Sequence, residues 1–92
     1  MPKSKVDVCR AAGDALLAAW RALDPKDADR ACAIERRLNR RLHRGEYRDA
    51  DAVRNDAHVV AFLKRARNPM AAGEWIDKII ALIERLIPLF VK

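Results

Sequence analysis

The sequence predicts an all-α fold, a four-helix bundle with up-and-down topology. Three observations predict it. Apolar residues recur at spacings of three and four rather than in alternation. Only three Gly and four Pro occur in 92 residues, and the apolar set is mostly Ala, Leu, Ile and Val, which leaves little room for strands. Hydrophobic residues make up 51% of the chain, enough to close one core and too many for a disordered chain. The connections between the periodic segments are short, so residues 1–92 read as one domain of antiparallel neighbours.

The first helix is expected over about 4–24. Ser4 and Asp7 resemble a short capping box. Cys9, Gly13, Leu16, Trp20 and Leu23 form its apolar stripe, with Ala12 and Ala19 at the edge. The second helix spans about 25–44. Asp24 suits its N-cap, Pro25 its first position and Asp27 its first turn. Ala31, Ile34, Leu38 and Leu42 make its buried stripe, and Gly45 suits the left-handed residue that ends it. The third helix is expected over about 50–67, capped by Asp49. Val53, Ala57, Val60 and Leu63 form its stripe, widened by Val59, Phe62 and Ala66. Asn68-Pro69 reads as its stop. The last helix spans about 73–91, with Glu74, Asp77, Lys78, Ala81, Glu84 and Arg85 as a narrow polar strip. Its apolar arc is wide enough for a central helix or for a homodimer through residues 75–91. The mixed signs of the polar strip and the charges along the run argue against stable membrane insertion.

The net charge is +6 and its location is informative. Residues 1–29 hold five basic and five acidic side chains, and residues 68–92 hold three of each. The excess therefore lies in residues 30–67, with eleven basic and five acidic groups. Arg37, Arg40, Arg41 and Arg44 repeat at three and four residues along one helix face, and Arg48 extends them. The planar guanidinium fork suits phosphate, so nucleic acid is a candidate partner. No helix-turn-helix or zinc-finger signature accompanies the basic face.

No catalytic constellation is apparent. Ser-His-Asp, Cys-His and Gly-rich phosphate-loop patterns are missing, and a binding role rather than an enzyme is expected. Cys9, Cys32, His43 and His58 offer no pair at ligand spacing on one element, so no metal or cofactor is expected. The start Met-Pro-Lys-Ser-Lys lacks an apolar leader, which makes an intracellular, reducing compartment the expectation.

The middle of the chain resembles a bromodomain. Leu38 and Leu42 match that family's aliphatic pair, Gly45 and Tyr47 its Gly-x-Tyr, Asp56 its helical Asp, and Asn68-Pro69 its terminal asparagine and proline. Trp75 stands where the last helix usually offers a large aromatic. The match covers residues 34–76, with helix order alone elsewhere. The resemblance implies a chromatin setting, a nuclear location and an acetylated protein partner. It implies an acetyl-lysine pocket in which Asn68 donates the amide hydrogen bond and Trp75 and Phe62 line the walls. That pocket would be degenerate. Between Leu23 and Ile34 there is no room for the family's long loop, Arg67 replaces the tyrosine before the asparagine, and Glu74 replaces an apolar gatekeeper. The two readings separate: Asn68→Ala should abolish acetyl-peptide binding and leave DNA retention intact, and Arg40→Glu with Arg41→Glu should do the reverse.

Overall fold

Five helices form, and α5 is the one around which the others pack. The computed structural model describes residues 5–90, with side chains from residue 13 onward. The helices are α1 (Lys5–Arg21), α2 (Pro25–His43), α3 (Ala50–Arg54), α4 (Ala57–Arg65) and α5 (Pro69–Phe90). The described residues contain no strand, so the chain is all-α as expected. The Ser4–Asp7 cap and the stripe positions Cys9 and Ala12 lie outside the described side chains.

Helix α1 stops at Arg21, before Pro25 would force it to. Ala22 and Leu23 close its end with amide bonds to Ala19 and Trp20 carbonyls three residues back. Asp24 then caps α2, its Oδ1 accepting from the Lys26 amide at 2.9 Å, with Pro25 in the first turn. At the far end Gly45 adopts φ +70. Its amide donates to Leu42 and that of Glu46 donates to Arg41, at 2.9 and 3.0 Å, the paired bonds of a Schellman turn. A Cβ at Gly45 would also sit 3.0 Å from the Phe90 carbonyl oxygen.

The structure corrects the expected third helix. A single rod over 50–67 is replaced by α3 and α4, which meet at Asn55–Asp56. Asp49 caps α3 through the Ala52 amide. Asp56 caps α4 through the His58 amide at 2.9 Å and is itself buried. A helix cannot bury a mid-rod carboxylate cheaply, whereas an N-cap satisfies it with backbone donors. The break also resets the apolar phase. Val53, Val59 and Phe62 are buried, while Ala57 and Val60 face outward.

The second correction concerns Asn68-Pro69, which begins a helix rather than ending one. Asn68 Oδ1 accepts from the Ala71 amide at 3.3 Å, and its carbonyl accepts from Ala72. Pro69 occupies the first helical position, where a missing amide hydrogen costs nothing. Helix α5 therefore starts four residues before the expected 73. It continues through Pro88 to Phe90.

The wide arc of α5 is used within one chain. Helix α5 touches α1, α2, α3 and α4. Ala71, Ala72, Trp75, Ile76, Ile79, Ile80, Ile83 and Ile87 are buried along it. Trp75 is 1% exposed and packs edge-on against Trp20 at 6.0 Å and Phe62 at 5.7 Å between ring centroids. Over residues 75–90 Leu89 is the one exposed large hydrophobic among the described side chains. Among the described residues, no helix is long and apolar enough to cross a membrane.

Candidate nucleic-acid interface

Helix α2 carries three kinds of face, and they divide its arginines. Asp27, Ala31, Ile34, Leu38 and Leu42 turn inward and are buried. Arg30, Arg37 and Arg41 flank that stripe on the side of α4. Arg36, Arg40 and Arg44, each four residues apart, lie opposite the core and are exposed.

The flanking row is engaged by the fold. Arg37 Nε lies 3.5 Å from Asp56 Oδ1, and Arg41 Nη1 bonds Asp56 Oδ2. Arg41 Nε also pairs with Glu46 at 3.1 Å, and its guanidinium lies 5.0 Å over the Tyr47 ring. The buried Tyr47 hydroxyl donates to Asp56 Oδ2 at 3.2 Å. Burial raises the affinity of Asp56 for a proton, but the His58 amide, Arg37, Arg41 and Tyr47 outweigh it, and the carboxyl titrates below its ordinary value. Burial, then the neighbouring Asp56 charge, pushes the Tyr47 phenol up to about 12. Arg30 Nη1 donates to the Arg65 carbonyl at 3.2 Å, closing the C-terminal end of α4.

Asp27 performs the matching task one turn earlier. Its two oxygens accept from the Arg67 amide at 3.0 and 2.9 Å, and one accepts from Asn68 at 3.0 Å. These backbone donors hold its carboxyl below the ordinary range despite burial. They are the amides that α4 and α5 leave unpaired at their junction.

The predicted arginine set therefore separates. Arg40, Arg44 and Arg48 are exposed and have no carboxylate within 4.0 Å among the described residues. Arg37 and Arg41 are about one-third exposed and paired to Asp56. Arg36 belongs to the free row and was not in the predicted set. Its signal was the four-residue step to Arg40. Arg54 pairs with Asp77 at 3.2 Å.

Of the predicted pocket residues, Trp75 and Phe62 pack against each other in the core but line different clefts, and Asn68 lines neither of them. Asn68 is exposed and serves as the cap of α5. Trp75 lines a cleft of about 360 Å³ with Leu16, Leu17, Trp20, Cys32 and Glu35. Phe62 lines a separate cleft between α2 and α4. His43 is exposed, its Nδ1 donating to the Asn39 carbonyl and its ring 4.6 Å from that of Phe90. No group of three His, Cys, Asp or Glu side chains among the described residues is placed to hold a metal ion.

Comparison with known protein families, curated proteins and solved structures finds no match for this chain.

Proposed function

We propose that this chain is a non-enzymatic binding module that holds nucleic acid through phosphate contacts from α2. Arg36, Arg40 and Arg44 make the contacts, and Arg48 extends the row beyond the helix end. One observation carries the reading. These guanidinium groups are exposed and unpaired among the described residues, while their neighbours on the same helix are paired by the fold. A charged row left free beside a charged row that is neutralised is an electrostatic footprint for a polyanion. Contacts of this type supply affinity without sequence choice.

The binding role is favoured over catalysis because the perturbed ionisable groups have structural occupations. Asp27 caps an interhelix junction, and Asp56 and Tyr47 anchor α2 to α4. The acetyl-lysine reading draws less support, since Asn68 is a helix cap and lines neither the cleft at Trp75 nor the cleft at Phe62.

The test is fluorescence anisotropy with a labelled duplex at low salt. Arg40→Glu with Arg44→Glu should weaken binding by at least about tenfold, or ~1.4 kcal/mol, with an unchanged circular dichroism spectrum. Arg44 is preferred to Arg41 because Arg41 belongs to the Asp56 cluster. Asn68→Ala should leave duplex binding intact. Unchanged binding in the double variant would remove the proposal.

A further inference from the structure

A cleft opens on the side of α2 that faces α4. The cleft between α2 and α4 has a volume of about 250 Å³ and is lined by Arg30, Ile34, His58, Ala61, Phe62 and Arg65. Its floor is apolar: Ile34 is 7% exposed and Phe62 4%. Its rim is formed by the exposed side chains of Arg30, His58 and Arg65. No carboxylate is among the lining residues. The rim therefore presents two fixed positive charges above an aromatic floor.

The geometry holds one of those charges in place. Arg30 Nη1 donates to the Arg65 backbone carbonyl at 3.2 Å, which pins its guanidinium to the end of α4. A guanidinium has five N–H donors, so the remaining donors stay available to a ligand. Planar acceptors with two oxygens fit that fork. The volume falls below the roughly 300–1,000 Å³ of pockets that enclose drug-sized ligands. It suits a single ring with one acidic group. The Phe62 ring favours a flat apolar body, and a monoanion is less costly to desolvate than a dianion.

We propose that this cleft binds a small aromatic carboxylate. The ring rests on Phe62 and Ile34, and the carboxylate meets Arg30 and Arg65. The site is independent of the exposed arginine row that serves the polyanion.

The test is a ¹H–¹⁵N NMR titration of the full chain with three probes. Benzoate carries ring and charge, benzamide the ring alone, and acetate the charge alone. Benzoate should give saturable shifts centred on Ile34, Ala61, Phe62 and Arg65, with benzamide and acetate at least about tenfold weaker. Arg65→Gln removes a rim charge but keeps the carbonyl that Arg30 uses. It should weaken benzoate by about tenfold or more. Ala61→Phe fills the cleft from an exposed helix position and should abolish the shifts; should that variant not fold, Arg65→Gln carries the test. Arg40→Glu with Arg44→Glu should leave benzoate binding unchanged, so this site and the duplex interface fail separately. Equal shifts with acetate, shifts centred on Arg36, Arg40 and Arg44, or wild-type affinity in Arg65→Gln would overturn the proposal.

Discussion

Asp27 and Asp56 are the charged side chains that the described core buries, and each is answered by backbone amides. Both carboxyls titrate below the ordinary 3.8 in the folded chain. A depressed folded value adds stability above the unfolded value and loses it as pH falls toward the folded one. Thermal melts should therefore hold level from neutral pH to about 5 and fall steeply below about 4. Asp27→Asn should lower the neutral-pH melting temperature and flatten that acid limb, because it removes the charge that both backbone amides bind and sets a donating NH₂ against the Arg67 amide, 3.0 Å from the Oδ1 position. A wild-type acid limb that this change leaves untouched would contradict the assignment. Tyr47 runs the other way. Its phenol is raised from 10.0 to about 12, so its contribution to stability is intact below pH 10 and lost as pH rises toward 12. Tyr47→Phe removes a buried bond to a charged acceptor, worth about 1.5–3 kcal/mol. Urea denaturation at neutral pH should show that loss, and the alkaline decline should shrink.

At the scale of elements, α2 secures both ends of α4. Arg37 and Arg41 hold its N-cap through Asp56, and Arg30 holds its last carbonyl. Asp27 then ties down the turn into α5. The exit from α2 depends on Gly45. Gly45→Ala forces a Cβ into the left-handed region and against the Phe90 carbonyl. It should cost at least about 1–2 kcal/mol by chemical denaturation, and a neutral substitution would contradict the geometry. Much of this element order is legible in the sequence because the signals are local. Asp24-Pro25, Gly45 and Asp49 each act within a few residues, and the α2 stripe follows from a regular period. The split at Asp56 is not legible. Val53, Ala57, Val60 and Leu63 keep helical spacing across the break, and the donors that fix Asp56 lie 15 and 19 residues earlier on α2. Asn68-Pro69 is ambiguous for a different reason: the same pair suits the end of one helix and the start of the next. The candidate interface divides likewise. Arg40, Arg44 and Arg48 are readable as surface charge, whereas the pairing of Arg37 and Arg41 depends on tertiary structure.

Across the whole molecule, one apolar helix lies among four amphipathic ones, and the positive charge is left on the outside of α2. Trp75 is the centre of that packing, between Trp20 and Phe62. Trp75→Ala should cost about 3–5 kcal/mol, a large part of the 5–15 kcal/mol typical of a folded domain. A shift in thermal unfolding of only a degree or two would contradict a central position. The free row from Arg36 to Arg44 spans about 12 Å of helix axis. That matches the axial advance of about three to four phosphates on one strand. The most direct measurement is the affinity for duplex DNA as a function of salt concentration. A log–log slope of about −3 to −4 is predicted, falling by about two in Arg40→Glu with Arg44→Glu. A slope near zero, or a slope that the double variant leaves unchanged, would contradict the assignment of this face to phosphate.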